Sequence, residues 1–306
     1  MFERGNGTTP ATRTVRRNTV RPVPVRRIAV RSALFVFASF ATVYALYPVV
    51  WIVASALSPL NTLVNQTLIP AGASVDNFIT LATNPRHPFL LWMWNSVKIA
   101  GTTAILVVTL TALAAYAFSR FRYRGRRGAL YSIMIVQVFP NMLAVVALFL
   151  LLQQIGRVSP MFGLNSHGGL ILIYSGGALG FNTWLMKGYF DSIPRELDES
   201  ALIDGLSYPW IFLRITLPLA RPILVVVGFL TFIATYSDFL IARVMLTSTS
   251  RFTLAVGMAL FIQGEYTTQW GVFSAAALMG AVPIVIIFFI LQKQLIGGLV
   301  QGSTKG

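Results

Sequence analysis

Residues capable of chemistry are scarce in this 306-residue chain, and its carboxylates cluster. Five of the nine acidic residues, Asp191, Glu196, Asp198, Glu199 and Asp204, fall within Tyr189–Pro222. Glu199 stands beside Ser200 and Ala201, with Gly205 four residues beyond that alanine. A carboxylate, two small side chains and a turn-making glycine suit a helix seated in a protein groove. Elsewhere, Asp238 is the one acid inside an apolar run, a costly position that is often functional. His87 and His167 lack companions of ligand type, so neither reads as a metal site. The absence of cysteine removes thiol catalysis, disulfides and Cys-type metal centres. No G-x-x-x-x-G-K-[ST] phosphate loop exists, so ATP hydrolysis would belong to another chain and this one is not itself an enzyme.

The elements that position these residues are helices. Within the acidic stretch, Ser192 is an expected N-cap and Pro194 fits a first turn. Leu197, Ala201 and Leu202 recur at helical spacing opposite Glu196, Asp198 and Glu199, and Gly205 suits a left-handed ending. Ser207-Tyr208-Pro209 restarts a helix to which Trp210, Phe212 and Ile215 give apolar contacts, before Pro218 and Pro222 punctuate it. Around this island the chain is 56% hydrophobic and 11% charged, with a mean hydropathy of +0.71. A soluble domain carries roughly 25% charged residues.

Six stretches approach the ~20 apolar residues that a spanning helix needs: Ala33–Ala56, Met93–Phe118, Ala129–Leu152, Gly169–Met186, Pro222–Ala242 and Val272–Leu291. The expected fold is therefore all-α and polytopic, with six transmembrane helices in one transmembrane domain, 33–306. A flexible Arg-rich arm, 1–32, precedes it, and the loop 189–222 projects from it. With the N-terminus inside, 19 of the 24 Lys and Arg residues fall on the inner side, which makes both termini and the acidic loop cytoplasmic.

The net charge of +15 sits at membrane edges, as the positive-inside bias requires, and does not call for nucleic acid. In the acidic loop, by contrast, acids outnumber bases. A helix lying on lipid would be rich in Lys and Arg on its polar face, so docking is favoured over that alternative. Asp238 fits a buried interface or a polar position on a path. It has no second intramembrane acid or histidine to form a proton relay with. Lys98 would snorkel to the outer interface, and Gly176, Gly177 and Gly180 would allow close helix packing. Thr247–Trp270 taken alone is a connecting loop, and Gly302–Gly306 a frayed end.

The pattern Glu199-Ser200-Ala201, Gly205, then Ile215-x-Leu217-Pro218, resembles the "EAA" coupling loop of permease subunits in bacterial ABC importers. Further likeness to the carbohydrate branch lies in Trp94-Asn95-Ser96-Val97-Lys98, in Ser119-Arg120, in Phe139-Pro140 and in Gly163–Gly169. It continues in Trp184 with Lys187–Phe190, in Phe252–Met258 and at the C-terminus. Across residues 35–306 the chain resembles the shorter permeases of the maltose/maltodextrin importers, within the binding-protein-dependent permease family.

The resemblance implies the type I ABC importer permease fold in the bacterial inner membrane. It also implies a second, different permease, a cytoplasmic ATPase homodimer that binds ATP and Mg, and an extracytoplasmic sugar-binding protein. This chain would hold no cofactor. Glu199 would make the charged contact to the ATPase, with Ser200 in place of the family's usual alanine. Ala201 would pack closely, Gly205 would permit the bend, Ile215, Leu217 and Pro218 would anchor the second helix, and Asp204 would belong to the same ATPase-coupling set. The resemblance further implies that Gln263, Gly264, Glu265 and Tyr266 reach the binding protein. Gly302, Ser303, Thr304, Lys305 and Gly306 would enter between the ATPase subunits. A permease for trehalose, another oligosaccharide or a polyol would share these features.

Overall fold

The computed structural model describes residues 25–301, apart from 61, 63–65, 139–140 and 263–267. Regular structure among the described residues is helical throughout. The chain forms two compact units, Met1–Val49 and Val50–Gly306. In the first, the described chain is the early part of helix α1 (Val25–Leu57), where Phe35, Phe37, Phe40 and Tyr44 stand exposed. A helix that exposes such side chains all round is suited to lipid, where its own hydrogen bonds satisfy the backbone.

The second unit runs through α2 (Asp76–Thr83), α3 (Phe89–Arg120), α4 (Arg126–Val138), α5 (Asn141–Val158) and α6 (His167–Asp191). Two short helices follow, α7 (Glu196–Ile203) and α8 (Tyr208–Leu219). Then come α9 (Arg221–Ser237), α10 (Leu240–Met245), α11 (Leu254–Ala259) and α12 (Trp270–Gln301). Helices α1, α3, α6 and α12 are each long and apolar enough to cross a bilayer, and they contain four of the six expected spans.

The other two expected spans differ in form. Ala129–Leu152 corresponds to α4 and α5, on either side of 139–140; the Phe139-Pro140 motif thus lies outside the described residues. Pro222–Ala242 is not one continuous helix. It ends as α9 at Ser237, and Asp238, in extended backbone, starts α10. The carboxylate takes the N–H groups of Ile241 and Ala242, each at 3.1 Å, which would otherwise be unpaired at a helix start. Asp238 therefore marks a helix break and is not an acid within a continuous span.

Helix α3 packs most extensively against α6 and α9, and this trio carries two apolar cores. One, near the Phe89 end of α3, is built around Trp92, Phe89, Leu170, Phe252 and Leu254. The other, near the Arg120 end, joins Tyr116, Met186, Phe190, Ile193 and Phe212. The second core positions the acidic loop.

Candidate functional site

At the Arg120 end, α3 and α6 stop together and α7 lies against them. Arg120 makes that junction. Its Nη1 donates to the Phe190 carbonyl and its Nη2 to the Ile193 carbonyl, both at 3.2 Å, so it grips the backbone on either side of the point where α6 ends. Its Nε lies 2.5 Å from Asp198 Oδ2, although that N–H does not point along the line between them. Both side chains are nearly sealed from solvent, so each charge depends on the other. Beside them, Ser119 Oγ donates to Asp191 Oδ1 at 2.7 Å, and Lys187 pairs with Asp191 Oδ2. Arg195 Nη2 returns to the Ser119 carbonyl at 2.8 Å. Three chain segments are tied here by side chains for which the sequence offers only a family marker (Ser119, Arg120) or a surface charge (Asp198).

This clasp decides which face of α7 turns inward. Asp198 and Ala201 are the buried residues, each 6% exposed, whereas Leu197 and Leu202 are exposed and Ile203 is 86% exposed. The expected apolar face of Leu197, Ala201 and Leu202 is corrected accordingly: pairing with Arg120 places an acid where periodicity placed a leucine. Ser192 is also not the N-cap of α7. It closes α6, with its Oγ donating to the Tyr189 carbonyl at 2.6 Å, and α7 starts at Glu196.

Gly205 has the expected left-handed conformation, with φ +84°. The Gly205 N–H bonds to the Leu202 carbonyl and the Leu206 N–H to the Ala201 carbonyl, both at 3.0 Å, the paired closure of a Schellman ending. Helix α8 then starts at Tyr208-Pro209. Phe212–Thr216 widens into a π turn, closed by the Leu217 N–H on the Phe212 carbonyl. Pro218 has no N–H to offer the Arg214 carbonyl, and local widening accompanies that loss. A bend of 76° separates α8 from α9. Rings of Tyr116 and Phe212, 4.8 Å apart, and of Phe121 and Tyr208, 5.1 Å apart, seat α8 on the end of α3. Trp210, expected to pack inward, is half exposed, and Arg214 lies over its ring.

The loop thus presents an outward face. Glu199, Ser200, Asp204, Gly205 and Pro218 are exposed, Ile215 and Leu217 are half-buried, and Ala201 points into the chain. The exposed carboxylates and leucines stand on a base that the buried Arg120–Asp198 pair holds in place.

The opposite end of α3 gathers the other family-like motifs. Trp92 Nε1 donates to the Thr249 carbonyl at 2.8 Å, and Asn95 Nδ2 to the Ser250 and Phe252 carbonyls at 3.0 Å. Ser96 Oγ accepts the Leu254 N–H at 2.8 Å. From the start of α6, Asn165 (φ 52°) accepts the N–H groups of Thr247 and Ser248, and its carbonyl accepts from Arg251. His167 Nε2 lies 2.9 Å from the Arg251 carbonyl. Motifs around 95, 165 and 253 are therefore one hydrogen-bonded assembly. Gln263, Gly264, Glu265 and Tyr266, and Gly302, Ser303, Thr304, Lys305 and Gly306, lie outside the described residues.

Between the two ends, Asp238 lines a cavity of about 550 Å3 with Tyr174, Asn182 and Thr231. Tyr174 donates to Asp238 Oδ1 at 2.7 Å, so one carboxylate oxygen fixes α6, α9 and α10 together. Gly176 and Gly177 line this cavity with nothing within 4 Å of an added Cβ, contrary to close packing; Gly180 is closely approached by Gln137.

Residues 107–299 match the family described as "Binding-protein-dependent transport system inner membrane component". The chain belongs to this family. The permease is 43% identical over 251 residues to the maltose/maltodextrin transport system permease protein MalG of Vibrio vulnificus, covering 82% of this chain and 84% of the relative. Against the Yersinia pestis protein of the same name, identity is 40% over 273 residues, with 85% and 89% covered. For the Escherichia coli K12 protein, the values are 43% over 236 residues, 77% and 79%.

Among solved structures, the permease superposes on a chain of a bacterial ABC transporter that imports the acidic polysaccharide alginate, with a TM-score of 0.72 and 23% identity. The match covers 89% of this chain and 98% of that one. A second alginate transporter structure, in complex with a pentasaccharide-bound periplasmic protein, gives a TM-score of 0.60 at 17% identity, with 87% and 93% covered. At these identities the likeness establishes the fold: that of an ABC importer permease.

Proposed function

We propose that this permease is one of two different membrane subunits of an ATP-driven importer for maltose or maltodextrins. Its partners are a cytoplasmic ATPase homodimer, which binds ATP and Mg and does the hydrolysis, and an extracytoplasmic sugar-binding protein. Identity to maltodextrin permeases of 40% or more across over three quarters of the chain supports the cargo. The chain spans the membrane six times, with both termini and the acidic loop in the cytoplasm, in line with the 19 basic residues on that side. A basic arm, 1–32, precedes the permease domain.

The observation that carries the mechanism is the exposed face of α7 on its buried Arg120–Asp198 base. Glu199, Ser200 and Asp204 meet the ATPase, while Ala201 packs from beneath and Gly205 fixes the angle. Ile215, Leu217 and Pro218 join the second helix to α9. A push on α7 is passed to the ends of α3 and α6 without a compliant linker, and alternating access follows from moving those helices. The 263–266 segment meets the binding protein, and 302–306 enters between the ATPase subunits.

Glu199→Lys tests the docking. The side chain is exposed, so insertion and assembly of the complex should persist while sugar-dependent ATP hydrolysis and transport fall sharply. Normal ATP-dependent transport by this variant would overturn the assignment. Testing which sugars stimulate hydrolysis in the wild-type complex checks the cargo, and stimulation by trehalose or a polyol instead of maltodextrins would replace it.

A further inference from the structure

Next to the acidic loop, but separate from its exposed face, a pocket of about 800 Å3 opens between the turn after α3, the start of α4 and the last turns of α6. Its rim carries Arg122, Arg126, Arg127 and Lys187, and no acid lines it among the described residues. Lys187 is neutralised by Asp191. The side chains of Arg122, Arg126 and Arg127 make no hydrogen bond or ion pair among the described residues. Three like charges around one concavity repel one another, and an anion in their midst would relieve that repulsion.

The remaining wall is apolar and aromatic. Leu130 and Met134 of α4 face the pocket, as do Trp184 of α6 and Tyr131. Trp184 and Tyr131 are exposed, and along α4 the cationic lining of the first turn, Arg126 and Arg127, gives way to Leu130, Tyr131 and Met134 one to two turns further on. Tryptophan and tyrosine favour the level where hydrocarbon gives way to headgroups. A small soluble anion would use only the arginine rim. A diacyl phosphate would use both parts, with its phosphate on the guanidinium groups and its glycerol and first methylenes against the aromatic wall.

We propose that this pocket is a binding site for an anionic phospholipid, whose phosphodiester is held by Arg122, Arg126 and Arg127 and whose acyl chains leave along Trp184 and Leu130. The site requires only that the chain sits in a bilayer. It does not depend on the cargo or on docking of the ATPase through α7, so either proposal can fail without the other. Because Lys187 and Asp191 belong to the same turns of α6, the bound lipid lies directly beside the clasp that carries α7.

The test uses the assembled complex in lipid nanodiscs that contain phosphatidylglycerol and phosphatidylcholine. Native mass spectrometry counts the phospholipids that remain bound, and Arg126→Gln/Arg127→Gln is compared with Arg86→Gln, which removes a charge before the opposite end of α3. Wild type and Arg86→Gln should retain phosphatidylglycerol in preference to phosphatidylcholine, and the double variant should retain it on the order of tenfold less. Equal retention by the double variant, or no preference in the wild type, would overturn the proposal.

Displacement of the lipid by inorganic phosphate would assign the pocket to a soluble anion instead. Retention by the permease pair that vanishes when the ATPase is added would assign it to a protein contact. Should the double variant not assemble, brominated lipids supply the decision in the wild type. The fluorescence difference between wild type and Trp184→Phe should be quenched more by brominated phosphatidylglycerol than by brominated phosphatidylcholine, and equal quenching refutes the site.

Discussion

At the scale of single residues, the decisive feature is an acid and a base that have left water together. Arg120 holds Asp198 and two carbonyls at the end of α6. Removing one member of such a pair strands the other charge in a buried position, a loss of about 3–5 kcal/mol, whereas removing both strands neither. Arg120→Ala and Asp198→Ala should therefore each lower the melting temperature of the purified complex, and the double variant should be less damaged than the sum of the two. Additive losses would mean that the pair is not coupled. Glu199 offers the contrast: exposed and outside the clasp, it can be reversed in charge at little expense to folding, which makes its substitution a test of docking alone.

At the scale of elements, the Schellman ending at Gly205 sets the direction in which the chain leaves α7. A Cβ at this position would meet nothing within 4 Å, so the cost of a side chain is conformational: about 1 kcal/mol or more for holding φ at +84°. Gly205→Asn should keep most of the ATP-coupled transport, because asparagine tolerates positive φ, while Gly205→Val should lose most of it. Equal transport by the two variants would show that the angle between α7 and α8 does not matter.

This turn was legible in the sequence because a glycine after a short acidic helix has few other uses, and the long apolar runs of α1, α3 and α12 were legible by length alone. The inward face of α7 was not. Helical periodicity assigns leucines to the core, and nothing local to Asp198 reveals that Arg120, 78 positions earlier, waits to neutralise it. The break at Asp238 was hidden for a related reason. An acid in an apolar run reads as a buried charge until the helix stops there and the carboxylate caps the next one.

At the scale of the molecule, α3 links two assemblies. With 32 residues it is about 48 Å long, enough to cross the hydrocarbon and reach beyond it on both sides. Its Arg120 end holds the acidic loop; its Phe89 end, through Trp92, Asn95 and Ser96, holds the 249–254 turn that leads to α11 and on toward the 263–266 segment. If the importer works by passing movement along this helix, damage at the Phe89 end should leave docking intact and break communication.

Gly257 provides that lesion. A Cβ there would lie 2.1 Å from the Trp92 ring, closer than non-bonded carbons approach, so Trp92 must shift and strain its bond to the Thr249 carbonyl. Overpacking of this kind costs about 1–3 kcal/mol, which a well-folded complex survives. Gly257→Ala should therefore assemble with the ATPase and retain its unstimulated hydrolysis, yet respond weakly to the sugar-loaded binding protein. Arg120→Ala should show the reverse order of damage, with the contact to the ATPase failing first. Full stimulation of the Gly257→Ala complex by the binding protein would mean that the two ends of α3 act independently, and that the helix is a support for two sites without being the path between them.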